Sequence, residues 1–143
     1  MTQRVTVIDD SSDLLAVIGD ALRQAGYDVA LLDQAASMGE IEVSDPDLLV
    51  IDLKLGENSL AGWDIIRLVR KHRSLLELPV IVCSAALDQI RAHAKEIEND
   101  PSTHLLTKPF SLEDLETVVF AALAGDRDNA RNGSAAATSG EGA

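Results

Sequence analysis

Five residues in this chain are of types that do one kind of chemistry when brought together: Asp9, Asp10, Asp52, Ser84 and Lys108. Each falls where a mostly apolar run stops. Val5-Thr6-Val7-Ile8 stops on Asp9-Asp10, Leu48-Leu49-Val50-Ile51 on Asp52, Val80-Ile81-Val82-Cys83 on Ser84, and His104-Leu105-Leu106-Thr107 on Lys108-Pro109. Three carboxylates gathered at one place repel each other, and burying them is costly unless a cation sits among them. Oxygen-only donors favour a hard ion. Mg²⁺ typically takes one or two carboxylates, keeps several waters and completes its shell with a phosphoryl oxygen. A lysine adds a point charge able to hold the same phosphoryl group, and a serine adds a hydroxyl. The set suits phosphoryl transfer onto a carboxylate: Asp52 is the nucleophile, and cation and lysine absorb the charge of the transferring group.

The elements that must position these residues follow from periodicity. The run ending at Asp52 is continuously apolar, preceded by Pro46 and followed by Gly56, which reads as a strand buried on both faces. Ser11, Ser12 and Asp13 offer N-caps for a helix over 12–25, with Leu14, Val17, Ile18, Ala21, Leu22 and Ala25 as its apolar stripe and Gly26 as its stop. A short strand is expected over 28–32 and a weak helix over 34–42. A loop over 53–61 leads to Gly62, which opens a helix over 62–73 with Ile65, Ile66 and Val69 inward. Trp63 reads as partly buried packing. One helix is expected over 87–99, stopping before Pro101. Ser111 with Asp114 has the form of a capping box opening a last helix, with Leu112, Leu115, Val119 and Ala122 inward. Strand and helix thus alternate five times, which implies an α/β domain with a parallel sheet and helices on both faces. In such sheets ligands bind outside the carboxyl ends of the strands, where the five residues fall.

Residues 1–124 read as one domain. From 125 to 143 no apolar period survives and Gly, Ala, Ser, Asn and Asp dominate, the composition of a flexible low-complexity tail. The net charge of −12 makes nucleic acid and anionic membrane poor partners. Cys83, the one cysteine, excludes an intrachain disulfide and reads as a small core residue. No apolar run reaches the roughly 18 residues of a membrane span, and Met1-Thr2-Gln3-Arg4 enters a strand without the form of a signal peptide, so the cytoplasm is the expected location. His72, His93 and His104 lack metal-ligand spacing and read as surface residues.

The chain resembles the receiver domain of bacterial response regulators, in two-component and phosphorelay signalling. The match runs from about 4 to 123 and rests on Asp9-Asp10, Asp52, Ser84-Ala85 and Lys108-Pro109-Phe110 in that order. The resemblance implies a flavodoxin-like (βα)5 fold with strand order 2-1-3-4-5. It implies Asp52 as phosphoacceptor, taking its phosphoryl group from a phosphohistidine of a histidine kinase or phosphotransfer protein. It implies Mg²⁺ bound by Asp10, Asp52 and the Lys54 backbone carbonyl, with Asp9 acting partly through water. Lys108, Ser84 and the Ala85 backbone would hold the phosphoryl group, and the Lys108–Pro109 peptide would be cis. The protein would be a phosphoacceptor that promotes its own phosphorylation and dephosphorylation, not an enzyme acting on a separate substrate.

Three departures concern switching, not phosphorylation. Leu105 stands where receivers usually carry Phe, Tyr or His. The loop from Asp52 to Gly62 is two residues longer than the common form and lacks its proline, and 99–103 lacks the common Gly-Ala pair. With Ser84 able to move and Leu105 unable to gain a hydrogen bond, the response to phosphorylation is expected to stay near 53–61, the Ser84-Ala85 turn and the start of the fourth helix. Leu14 and Leu15, in the first turn of the first helix, are expected to offer an apolar spot to a helical partner, with Leu15 off the core stripe. A stand-alone receiver, monomeric or weakly dimeric, is the expectation. Two other classes fit less well. An aspartyl phosphatase resembles Asp-x-Asp, but position 54 is Lys. An FMN-binding flavodoxin needs a phosphate-cradling Ser/Thr/Gly loop where Asp9-Asp10 stand.

Overall fold

The computed structural model describes residues 2–33, 38–53, 61–85 and 87–124. The proposed tail over 125–143 and the Lys54 carbonyl lie outside these. Five parallel strands form one sheet in the order β2-β1-β3-β4-β5, as the resemblance implied. They are β1 (Arg4–Ile8), β2 (Asp28–Leu32), β3 (Leu48–Asp52), β4 (Val80–Ser84) and β5 (Thr103–Thr107). The helices are α1 (Ser12–Gln24), α2 (Met38–Ser44), α3 (Ala61–Lys71), α4 (Leu87–Ala92), α5 (Ala94–Asn99) and α6 (Leu112–Leu123), with a 3₁₀ turn at Arg73–Leu75.

Every residue of β3 and β4 is buried, and the period-2 alternation of a strand divides them between two cores. Leu48, Val50, Ile81 and Cys83 join Val5 and Val7 against α1 and α6. Leu49, Ile51, Val80 and Val82 join Ile8 against α2 and α3. With both faces covered, the central strands read as continuous apolar runs, the pattern of a buried parallel sheet. The one hydroxyl inside β1, on fully buried Thr6, lies 2.8 Å from Ser44 Oγ of α2, and the Ser44 hydroxyl in turn donates to the Ile41 carbonyl.

Five local expectations are corrected. Leu112, expected inward on α6, is 38% exposed, which leaves Leu115, Val119 and Ala122 as the buried face of that helix. In α1 the inward stripe is Leu15, Ile18, Gly19 and Leu22, one step round the helix from the expected one; Val17 is 48% exposed while Leu15 is 8% exposed. Leu15 therefore belongs to the core with Val5 and Val7 and is withdrawn as a docking residue. The expected helix over 87–99 is two helices, broken at His93, whose φ of −112° and ψ of 14° leave the helical region. Trp63 is fully packed in the α2/α3 core, not partly buried. His104 is buried in β5 rather than on the surface, and burial holds its imidazole below the ordinary histidine range, with the Asp100 charge opposing. The capping box of α6 is present, Ser111 Oγ accepting from the Asp114 N–H at 2.9 Å.

Arg70 ties α3 to the start of β5. Its guanidinium donates to Asp100 Oδ2 and to the Leu78 carbonyl, both at 2.6 Å, and to Thr103 Oγ1 at 3.1 Å. Asp100 also accepts from the Ser102 N–H and the Thr103 hydroxyl. This hub occupies the segment that lacks the Gly-Ala pair. Burial works against ionisation of Asp100, but its Arg70, Thr103 and Ser102 hydrogen bonds outweigh that and leave the carboxyl below its ordinary value.

Gly62 is set by close approach. A Cβ there would overlap the Asp52 carbonyl oxygen and lie 2.6 Å from Leu53 Cα, while the Gly62 N–H donates to the Leu53 carbonyl at 2.9 Å. Gly62→Ala should therefore lower stability by about 1–3 kcal/mol, the usual cost of overpacking, measured by urea unfolding. A second prediction concerns pH. His104 has a depressed folded-state pKa, so its neutral form adds stability above the unfolded value of 6.5, and this is lost as pH falls through the folded value. Thermal unfolding from pH 8 to 5 should show a decline that His104→Leu makes shallower.

Candidate functional site

The carboxyl ends of β1, β3 and β4 and the residue following β5 converge because the strands are parallel and in register. Ile8 is level with Ile51, Asp52 with Cys83, and Ser84 with Thr107. The next residue along each chain thus lands at one edge. Asp9 follows β1 and is 3% exposed; its N–H donates to the Leu32 carbonyl, which extends the ladder with β2 one residue past the strand. Asp52 ends β3 and is also buried, while Asp10 is exposed at the rim. One carboxylate oxygen from each of the three lies within 4.8 Å of the others.

Lys108 enters this cluster from the opposite side. Its Nζ donates to Asp52 Oδ2 at 2.9 Å and to Asp9 Oδ2 at 3.2 Å. Its own N–H donates to the Ser84 carbonyl at 2.9 Å, which pins the backbone after β5 to the end of β4. The peptide that follows, Lys108–Pro109, is cis, as expected. Partial burial pulls the ammonium pKa down, but hydrogen bonding to Asp52 and the charges of Asp52 and Asp9 more than reverse this, so Lys108 is held protonated. Asp9 goes the other way. Burial raises its carboxyl pKa, and the Ser11 N–H at 3.0 Å and Lys108 offset this only in part, with the Asp52 charge adding to it.

Three carboxylates against one ammonium leave a formal excess of two negative charges in a largely buried pocket. That excess, the all-oxygen donor set and the sub-4.8 Å spacing fit a divalent hard cation. Asp9, Asp10 and Asp52 are the residues that could hold it. Ser84 is 1% exposed at the end of β4, and Ala85, next to it, is exposed. Burial beside these acids pushes the Cys83 thiol up to about 12, keeping it an inert core thiol.

All of the expected site residues within the described part of the chain meet at this edge except two. Leu105 sits on the outer strand, 36% exposed, and Leu15 is in the core. Leu14 does flank the site: with Ala85, Lys108, Pro109 and Phe110 it lines an open hollow of about 310 Å³. Sequence reasoning gave Gly62 only as a helix start. Its contact with the Asp52 backbone depends on where α3 returns to the sheet, which no local pattern encodes.

The chain is similar to known proteins in sequence and in fold. The family model described as response regulator receiver domain matches residues 5–120. The DNA-binding transcriptional regulator NtrC of Rhizobium meliloti is 32% identical over 124 residues, covering 84% of this chain and 24% of the relative. The DNA-binding response regulator MtrA of Mycobacterium tuberculosis is 27% identical over 124 residues, covering 86% of this chain and 51% of the relative. The chain thus spans between a quarter and about half of the length of these relatives. The chemotaxis response regulator CheY4 of Vibrio cholerae superposes with a TM-score of 0.72 at 20% identity, covering 85% of this chain and 99% of that one, a likeness of fold. With a family match over nearly all of the described chain and the acidic cluster at its strand ends, this protein belongs to the response regulator receiver domain family of two-component signalling.

Proposed function

We propose that Asp52 accepts a phosphoryl group from the phosphohistidine of a histidine kinase or phosphotransfer protein, with Mg²⁺ held by Asp9, Asp10 and Asp52. The observation that carries this reading is the position of Lys108 Nζ, within hydrogen-bond reach of Asp52 and Asp9 at once. A carboxylate oxygen of Asp52 attacks phosphorus as the P–N bond breaks. The bonding pair goes to the imidazole nitrogen, which takes up a proton. When bound, the metal neutralises charge on the transferring oxygens and on the acids around it. Lys108 exchanges its contact with Asp52 for one with a phosphoryl oxygen and stays protonated throughout. The Ser84 hydroxyl and the Ala85 N–H donate to the remaining oxygens. Water attack on the acyl phosphate later returns Asp52 and inorganic phosphate. Lys54, whose backbone carbonyl the family resemblance implies as a further ligand, lies outside the described residues.

Output then passes to a protein partner or, by onward transfer, to another histidine. The protein works as a monomer or weak homodimer in the cytoplasm, without contact to nucleic acid or membrane. Among the described residues no helix is long and apolar enough to cross a bilayer. Docking falls to the hollow beside Leu14, which adjoins Lys108 and so lies next to the reacting carboxylate.

Two tests follow. With Mg²⁺ and a small phosphodonor the protein should gain one base-labile phosphoryl group by intact mass. Asp52→Asn should gain none. Asp10→Asn should need more Mg²⁺, and Lys108→Ala should slow the reaction by about 10²–10³, the cost of one preorganised electrostatic contact. Unchanged rates in both would remove their assigned roles. For docking, Leu14→Asp should slow transfer from a phosphohistidine protein while sparing the small donor. Leu15→Ala should instead lower stability by about 2–5 kcal/mol as a core truncation.

A further inference from the structure

Gly62 seats the first turn of α3 directly on the carbonyls of Asp52 and Leu53. Any shift of the Asp52 backbone therefore meets α3 at once. The next residue is Trp63, 4% exposed, with its ring stacked on His93 at a centroid separation of 4.2 Å and an interplanar angle of 24°. His93 is the residue that breaks the helical run between α4 and α5. It begins α5 without a side-chain cap; its Nδ1 instead lies 3.0 Å from Glu96 Oε1. Arg67 closes the group, its guanidinium 5.9 Å from the Trp63 ring and 3.6 Å from Glu96.

Two features make this cluster able to change. The indole Nε1 of Trp63 is buried and has no hydrogen-bond partner among the described residues, so the observed arrangement carries a desolvation cost. The ring is held by packing and by one stacked face, not by a directional bond. The break at His93 supplies the joint: α4 and α5 are six residues each and the chain leaves helical geometry between them at His93, so a change in the His93 ring position bears on the angle between them. On β5, by contrast, Leu105 offers no ring and no polar tip.

We infer that the Trp63–His93 stack is the element through which the phosphorylation state of Asp52 is carried to the α4–α5 joint, replacing the part an aromatic on β5 would play. This rests on the reading of Asp52 as phosphoacceptor and adds the regulation of that site. Loading of Asp52 displaces Gly62 and the first turn of α3. Trp63 moves with it, the stack loosens or slides, and α5 reorients about His93. The surface that changes for a partner is then the outer side of α4 and α5.

Trp63 is the one tryptophan in the chain, so its emission reads the stack directly. The full chain would be titrated with beryllofluoride plus Mg²⁺, following bound beryllofluoride by fluorine NMR, Trp63 emission, and the amide signals of 94–99. The expected result is a saturable emission change that tracks binding, with shifts across 94–99. In His93→Ala, beryllofluoride should still bind while the shifts across 94–99 disappear. In His93→Phe, which keeps a stacked ring, they should persist, and in Leu105→Ala they should be unaffected. Bound beryllofluoride with silent Trp63 emission overturns the proposal, as does a full 94–99 response in His93→Ala. Absence of bound beryllofluoride in the unmodified protein overturns the Asp52 reading itself, and the proposal with it.

Discussion

The structure is organised around a charge imbalance that the sheet forces on itself. Parallel strands in register deliver Asp9 and Asp52 to the same buried edge, and Lys108 from the far strand is the counter-ion that lets them stay there. A lone pair of buried carboxylates would take up a proton or open the fold; one ammonium spread over two of them lowers that cost without removing it. Burial raises the Asp9 pKa, and the Ser11 N–H and Lys108 offset that only in part. A site that carries an excess of negative charge at rest has the chemistry to suit a hard cation. The same interaction therefore holds the strand ends together and prepares the chemistry.

That edge has to be rigid for the contacts to be useful, and its rigidity comes from the two cores behind it. β3 and β4 are buried along their whole length, so their ends cannot shift without disturbing packing on both faces of the sheet. The Lys108 N–H to the Ser84 carbonyl and the Leu53 N–H to the Cys83 carbonyl extend the ladder just past the strands. The less deeply buried parts are elsewhere in the architecture: short helices on one face, joined at His93, and an outer strand with Leu105 36% exposed.

The side of the sheet that carries α3, α4 and α5 holds two cross-links of this chain's own. Arg70 and Asp100 link α3 to β5 by a set of short, charge-assisted bonds, and Trp63 stacks on His93 beside them. Both features occupy ground between the Asp52 end of β3 and the helices that flank β5. They give that face a polar and aromatic cross-link of its own, in a chain whose β5 has neither ring nor hydroxyl at position 105.

The strand runs, their order of appearance and the residues at their exits were legible along the chain, because a buried parallel strand must be apolar throughout and must end where a polar group can meet solvent or a ligand. Asp9, Asp10, Asp52, Ser84 and Lys108 could be named from that alone, and so could the capping box at Ser111. Three things could not. The inward side of α1 was misjudged by one step, since Leu14 and Leu15 are equally apolar and only the docking angle of the helix on β1 chooses Leu15. The break at His93 and the burial of His104 were invisible, because a histidine has no fixed side of a hydrophobic boundary, and the ring that stacks on His93 comes from Trp63, far away in sequence. Gly62 looked like a helix start, and only the return of α3 onto the Asp52 carbonyl makes it a contact that tolerates no side chain. Local pattern determines which residues leave the core and in what order; the angles at which helices come back to the sheet decide which of them touch, because those angles are fixed by long-range packing that no single segment contains.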